Sequence, residues 1–467
     1  MSPSKIKGGE VSPLAPASSP QPVPERSRRA AAVSSATPLS GAVPRNAPMG
    51  EENDLSSEWP ILPLAEISIN LDGKRRPVKE SERARGPYPY YGASGIVDHV
   101  NDYLFDGEYL LIGEDGENLR TRQTPIAFLA TGKFWVNNHA HIIAGNYKAT
   151  TRFLGYSLQN TDISGFLTGA VMPKLTQGNL NKIPIRCPPL PIQKAIAHIL
   201  GTLDDRIELC RRMNETLEAM ARALFKDWFI DFGPVRAKME GREPPGLSPE
   251  IAALFPSKLV DSELGEIPEG WDCGKLSDIA KNQTRSIRPE RMNSELAYIG
   301  LEHMPRKDVA LSEWGSADGL ESNKLEFNVG EILFGKLRPY FHKVGIAPIN
   351  GVCSTDIIVM GPKKPSWFGF VLEIVSSDEF VEHTNAGSTG TKMPRTSWAE
   401  MSRFKLVLPG DALAQAFDQS SAPMVNTILS NIHRRRSLST LRDTLLPKLL
   451  SGELSIPEAM LQVEAMR

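Results

Sequence analysis

The chain has 467 residues, 40% of them apolar, enough to bury two substantial cores. Its formal net charge of −2 argues mildly against nucleic acid as a partner, and no apolar run is long enough to cross a bilayer. The four cysteines, Cys187, Cys210, Cys273 and Cys353, form no C-x-x-C pair, which argues against zinc and disulfide frameworks and fits a reduced, cytoplasmic protein.

Residues 1–54 are dominated by Pro, Ser and Ala. With almost nothing to pack, they cannot offset the entropy of ordering and are expected to be disordered. Arg26, Arg28 and Arg29 hint at a transit peptide, but no amphipathic helical run accompanies them; a solvated extension, or an upstream start preceding Met49, is the expectation. Residues 55–187 read as α+β. Glu108-Tyr-Leu-Leu-Ile112 is a strand held between Asp106-Gly107 and Asp115-Gly116, and Ile126-Ala-Phe-Leu and Phe134-Trp-Val flank a turn at Thr131-Gly132. His141-Ile-Ile-Ala continues the sheet.

Residues 188–232 predict one long helix. Pro188 and Pro189 disfavour helix before it, and Pro191 suits a first turn, where a missing N–H is no loss. Ile192, Ile196, Ile199, Leu203, Cys210, Met213, Leu217, Met220 and Leu224 follow a heptad seam interrupted at Arg206. Glu208 with Arg212, and Glu218 with Arg222, are spaced for ion pairs on the wet faces. Gly233-Pro234 stops the run. At roughly 1.5 Å per residue the rod is about 58 Å long. Such a rod with one apolar stripe needs a partner helix. Residues 233–268, rich in Pro, Gly and acids, read as a linker whose stiffest point is Pro244-Pro245-Gly246.

The partner emerges when the chain is slid against itself. Thr168-Gly-Ala-Val-Met-Pro-Lys174 matches Thr389-Gly-Thr-Lys-Met-Pro-Arg395, and the register then runs without a gap through Ile183 on Phe404, Pro188 on Pro409, Ile207 on Ile428, Leu217 on Leu438 and Leu224 on Leu445. Upstream, Trp59 pairs with Trp271 and His141-Ile-Ile with Asp356-Ile-Ile. Two copies of roughly 190 residues, each a mixed domain followed by a long helix, make a domain duplication and not a solenoid. The second domain is residues 269–408; residues 409–467 are the second helix and a tail, with Ile428, Leu438, Leu441 and Leu445 on its seam.

No stretch carries catalysis. Gly330-Glu-Ile-Leu-Phe-Gly335-Lys336 has P-loop spacing, but Leu337 stands where a magnesium-binding Ser or Thr belongs, and the intervening residues look like a buried strand. Cys187-Pro-Pro-Leu190 resembles the Pro-Pro-aromatic loop with which amino-methyltransferases grip a flipped base, without the polar residue or the aromatic that make the grip. His139 and His141 sit two apart with no further Cys or His cluster, so a polar site or a satisfied core pair is expected there, not a metal site. There is no Gly-x-Ser-x-Gly elbow.

What remains is clustered basic charge. Lys74, Arg75, Arg76 and Lys79 lie on a turn early in the first copy, followed by Tyr88, Tyr90 and Tyr91. Lys281, Arg285, Arg288 and Arg291 occupy the corresponding place in the second copy, and Lys336, Arg338, Lys392 and Arg395 add charge at strand ends or loops. Any one such cluster is usually a solvated loop. Recurrence in both copies points to phosphate anchoring and groove readout of DNA.

The chain resembles the specificity subunits of type I restriction–modification systems. The residues that carry the resemblance are Tyr88-Pro-Tyr-Tyr-Gly-Ala-Ser-Gly95, Phe105-Asp-Gly-Glu-Tyr-Leu-Leu-Ile-Gly113 and Asn137-Asn-His-Ala-His141 in the first half. In the second half they are Tyr298-Ile-Gly-Leu-Glu-His303, Ile332-Leu-Phe-Gly-Lys-Leu-Arg-Pro-Tyr340 and Cys353-Ser-Thr-Asp356. The Pro188-Pro-Leu-Pro-Ile-Gln-Lys helix start and Leu449-Leu-Ser-Gly-Glu-Leu454 belong to the same pattern, which runs from about residue 56 to the C-terminus. The second helix departs from it: Pro409-Gly-Asp-Ala-Leu replaces the usual start, and Asn431 and Arg434 sit where the heptad wants apolar residues.

The resemblance implies an α+β fold class with two duplicated target-recognition domains, joined and spaced by two long antiparallel coiled-coil helices with pseudo-twofold symmetry. It also implies a non-catalytic subunit that reads a bipartite, asymmetric double-stranded DNA site, one domain per half. Its helices would dock two methyltransferase subunits and, through the complex, motor-nuclease subunits. S-adenosylmethionine, ATP and magnesium would belong to those partners, leaving this chain with no cofactor. Resemblance and charge together nominate Lys74, Arg75, Arg76, Tyr90, Tyr91, Lys133, Asn138, His139 and Lys174 in the first domain as DNA-binding residues. In the second they nominate Arg285, Arg288, Lys336, Arg338, Ser354, Thr355, Lys392 and Arg395. Two other readings stay open: the DNA-recognition part of a split restriction–methylation enzyme, and a coiled-coil scaffold with no DNA role.

Overall fold

The computed structural model describes residues 59–390 and 392–466; the disorder expected for residues 1–54 lies outside the described residues. Two helices of about 60 Å, α1 (Leu190–Phe229) and α2 (Asp411–Ser451), form the spine. The start of α1 (Ile196, Ile199, Leu203) and the end of α2 (Leu438, Leu445, Leu449) share one hydrophobic core with the first domain. The end of α1 (Phe225, Trp228, Phe229) and the start of α2 (Leu413, Phe417, Val425) share another with the second. The helices are therefore antiparallel, with one domain packed at each end. Gly452, at φ 80°, ends α2 in the left-handed conformation that favours glycine.

The seam between them differs from the heptad reading beyond its midpoint. Met213 and Met220 are 41% and 51% exposed, Leu217, Leu224 and Leu441 are half-buried, and the buried positions on α1 are Cys210, Asn214, Glu218, Ala221 and Phe225. A helix of 3.6 residues per turn drifts from a strict 3.5-residue repeat, and the contact line has advanced by one residue. Asn214 joins the seam because it has a partner: Asn431 Nδ2 donates to Asn214 Oδ1 at 2.9 Å, with both side chains buried. Asp204 and Arg442 pair at 2.9 Å in the same register. On the wet face, Glu208 pairs with Arg212 at 2.9 Å as expected. Glu218 does not pair with Arg222; it turns inward and accepts the Val309 amide at 3.3 Å. There the second domain leans on the middle of the spine, with Ala310 against Ile428 and Ile432 and the Arg436 guanidinium 3.9 Å above the Trp314 ring.

Each domain is built on the same four-stranded sheet. In the first, β1 (Ser68–Asn70), β2 (Phe105–Gly113), β3 (Ala127–Val136) and β4 (Ala140–Gly145) lie in the order β1-β4-β2-β3, all neighbours antiparallel. In the second, β5 (Ala280–Gln283), β6 (Ile332–Gly335), β7 (Val344–Ile346) and β8 (Ile357–Pro362) repeat it as β5-β8-β6-β7. The P-loop-like run is thus β6, a buried strand. Small closing ladders also correspond: Ile61–Pro63 pairs with Pro184–Arg186, and Asp272–Lys275 with Lys405–Leu408. The copies diverge outside this frame. The first extends its sheet with Tyr88–Gly92 and Gly95–Val100, whereas the second adds a separate five-stranded sheet. Residues 233–268, expected as a linker, are packed instead: Val235, Phe255 and Ile267 enter the second domain's core, and Leu259–Ser262 pairs with Gly265–Pro268 in a hairpin.

Candidate DNA interface

In both domains several loops meet where the chain leaves the central strand. In the first, Glu114 and Asp115 follow β2. Glu114 Oε2 accepts from Arg75 Nη1 at 2.8 Å, and Glu114 Oε1 lies 3.3 Å from Lys174 Nζ. Arg75 also donates to the Ala140 carbonyl at 2.7 Å. Asp72, buried beneath, accepts the Ile142 amide at 2.9 Å and lies 2.6 Å from His141 Nδ1, while His141 Nε2 is 2.7 Å from the Leu175 carbonyl oxygen. Burial opposes the Asp72 charge, but the His141 hydrogen bond and charge and the Ile142 amide outweigh it, holding its carboxyl below the ordinary value. Glu114 is held down in the same sense: burial raises it, and Arg75, His141 and Lys174 more than compensate. This network ties residues 72–75, 114–115, 138–142 and 174–175 into one surface.

The second domain builds the same junction with basic residues where the first has acids after the central strand. Lys336, Leu337 and Arg338 follow β6; Lys336 N donates to the Asp356 carbonyl at 2.9 Å, and Arg338 N to the Pro394 carbonyl at 2.7 Å. Arg395 Nε donates to Asp356 Oδ1 at 3.0 Å. Bridges Asp115–Lys174 and Leu337–Arg395 are counterparts, as are Thr168–Lys174 and Thr389–Arg395. Arg338 sits at φ 51°, and its buried Nε has no hydrogen-bond partner. A strained backbone and an unpaired guanidinium atom at a loop junction are features that concentrate at functional sites.

The nominated residues divide. Lys74, Arg76, Asn138, His139 and Lys174 are exposed on the first surface, and Thr355, Lys392 and Arg395 on the second, where Lys336, Arg338 and Ser354 are half-buried. His139 Nδ1 lies 2.8 Å from Asp115. Others are committed inside the domain. Arg75 is taken up by Glu114, Asp72 and Ala140, so its charge holds loops together. Tyr90 is 1% exposed, and its hydroxyl accepts the Val78 amide at 3.0 Å; it is a core residue. Tyr91 is half-buried, edge-on to Phe134 at 5.5 Å. Lys133 faces Tyr103, 4.5 Å from the ring, and Arg285 pairs with Glu331, which precedes β6, whereas Lys336 follows it; neither joins the loop junction. Arg288 is exposed on a separate turn. The residues missed from sequence are the acids, Asp72, Glu114, Asp115 and Asp356. A search for positive charge passes over them, although Gly113-Glu-Asp-Gly-Glu117 directly after a strand was a visible signal. Among the described residues, no group of three or more His, Cys, Asp or Glu is placed to hold a metal, and no helix is long and apolar enough to cross a membrane.

The class of protein is defined by a duplicated α+β domain on a long antiparallel helix pair, with loops clustered at each central-strand end. Residues 56–219 match the family described as the type I restriction modification DNA specificity domain. A protein of Haemophilus influenzae named for the type I restriction enzyme specificity subunits is 42% identical over 31% of this chain, a match spanning 37% of its own length. The MjaIX type I restriction enzyme specificity subunit of Methanocaldococcus jannaschii is 25% identical over 86% of this chain and 95% of its own. The crystal structure of the type I restriction–modification S subunit from M. genitalium superposes with a TM-score of 0.54 at 14% identity, covering 84% of this chain and 96% of that one. Residues 56–219 thus carry the type I restriction modification DNA specificity domain, and over most of its length the chain is similar to specificity subunits of type I restriction enzymes.

Proposed function

We propose that this chain reads a two-part, asymmetric DNA site, one domain per half, and itself catalyses nothing. The observation that carries the reading is that one loop junction is built twice, at opposite ends of a spine of about 60 Å. Two readers held on one spine can meet one face of the duplex when their half-sites lie about one helical turn apart. The two junctions differ in charge. In the first, Glu114 and Asp115 follow the central strand and pair with Arg75, Lys174 and His139; in the second, Lys336 and Arg338 stand in their place, beside Lys392 and an Arg395 paired with Asp356. Unlike chemistry in like frames supports an asymmetric site. On α1, exposed Leu209, Met213 and Met220 form an apolar stripe flanking the seam, suited to a helix of a methyltransferase subunit. S-adenosylmethionine, ATP and magnesium would be bound by the partner subunits.

The test is a degenerate-duplex selection with the methyltransferase complex reassembled around this chain. Arg76→Ala and Arg338→Ala should each relax preference in a different half-site, by roughly 1–3 kcal/mol where a base contact is lost. Loss in the same half for both would refute one domain per half. A wild-type complex indifferent to duplex sequence and salt would favour a scaffold.

A further inference from the structure

The repeat that aligns the two copies, Thr168-Gly-Ala-Val-Met-Pro-Lys174 and Thr389-Gly-Thr-Lys-Met-Pro-Arg395, is closed at its neck in the same way twice. Each neck is closed by two backbone hydrogen bonds: Thr168 N to Lys174 O at 2.8 Å with Lys174 N to Thr168 O at 2.7 Å, and Thr389 N to Arg395 O at 3.0 Å with Arg395 N to Thr389 O at 2.9 Å. A third pins each loop to the segment after the central strand, Gly116 N to Pro173 O at 3.1 Å and Arg338 N to Pro394 O at 2.7 Å. Each turn starts on a left-handed glycine, Gly169 at φ 87° and Gly390 at φ 96°. A Cβ on Gly169 would come within 2.2 Å of the Met172 carbonyl oxygen, and one on Gly390 within 3.2 Å of that of Met393. Each neck is thus tied by three backbone hydrogen bonds while the methionine side chains stand in water, Met172 62% and Met393 54% exposed. At each neck stands a cation, Lys174 or Arg395, opposed by one carboxylate.

A single exposed methionine needs no explanation. The same residue beyond the same hydrogen-bonded neck in both domains, beside a cation each time, does. Water gives it nothing, and a phosphate would want charge. A long, unbranched, polarisable side chain fits apolar surface of variable shape, and DNA offers such surface at thymine methyl groups and at opened base steps. We propose that Met172 and Met393 are apolar base-contacting tips, one in each half-site, aimed by the clamped loop while Lys174 and Arg395 meet the neighbouring phosphates. This rests on the reading that each domain recognises DNA.

The experiment uses the complex reassembled with methyltransferase subunits, carrying Met172→Gln, Met172→Leu, Met393→Gln or Met393→Leu, in competition binding against degenerate duplexes at several salt concentrations. Each Gln variant should weaken the wild-type site roughly fivefold or more, the cost of one mismatched pair, and blur one or two positions in one half, a different half for each. Each Leu variant should restore most of the loss. The slope of log K against log salt should not change, because no phosphate contact is removed. Melting temperatures should match wild type, since both side chains are exposed, which separates a lost contact from a lost fold. Unchanged half-site preference in the Gln variants, blurring of the same half by both, or a slope change near one unit overturns the proposal while DNA reading stands. Failure of the wild-type complex to discriminate between duplexes overturns the DNA reading beneath it.

Discussion

Glu218 offers a direct test of how the second domain is seated on the spine. The residue is 9% exposed; one oxygen accepts the Val309 amide at 3.3 Å, and the other is buried without a partner. Burial first, then the neighbouring Asp308, pushes its carboxyl up from 4.5 to about 8, with the Val309 amide and Arg222 only partly opposing. Between those two values the folded chain holds a proton that the unfolded chain has released. Its stability contribution is therefore complete below about pH 4.5 and is lost as pH rises through about 8. At about 1.4 kcal/mol per unit, the ionised folded state is disfavoured by on the order of a few kcal/mol. Glu218→Gln keeps an acceptor for Val309 and cannot ionise. It should melt close to wild type at pH 5 and above it by roughly 10 °C near pH 8.5, since about 1 kcal/mol moves a unit of this size by roughly 2–4 °C. Thermal unfolding followed by near-ultraviolet circular dichroism at constant ionic strength, from pH 5 to 9, is the assay. Parallel curves for the two proteins would show that Glu218 does not titrate in that window.

Two further outcomes follow from buried polar contacts. Asn214→Leu alone strands the Asn431 amide and should destabilise by roughly 1–3 kcal/mol. The double change Asn214→Leu, Asn431→Leu should recover that loss, and a double mutant no more stable than the single in denaturant melts would show that the hydrogen bond is not what holds the register. Arg75→Ala should lower stability by roughly 2–3 kcal/mol, because it removes charge-assisted bonds to Glu114 and the Ala140 carbonyl. Arg76→Ala, exposed beside it, should leave the melting temperature unchanged while altering DNA binding; equal thermal effects of the two would refute the division between them.

The candidate site was half legible in the sequence. Lys336, Arg338, Lys392 and Arg395 announce themselves as charge on turns, and the structure gathers them at the end of β6. Arg75 and Tyr90 carry the same sequence signal as Arg76 and Tyr91, yet one is spent on Glu114 and the other lies in the core. Residue type shows what a side chain can do, not which neighbour has already claimed it.

Local and repeated features were set by the sequence itself. The first helix follows from apolar spacing bounded by Pro188-Pro189 and Gly233-Pro234, and the second from the duplication that Thr168–Lys174 recurring as Thr389–Arg395 reveals, because periodicity and repetition are properties of the chain. Only the tertiary structure decided the seam beyond Cys210, the inward turn of Glu218 and the packing of residues 233–268. A heptad template discards polar residues, but Asn214 and Glu218 are buried because Asn431 and Val309, 217 and 91 residues away, supply their hydrogen bonds. A segment rich in Pro, Gly and acids likewise reads as linker until Val235, Phe255 and Ile267 find a core completed by Phe370, Val371 and Phe417, more than a hundred positions further along the chain.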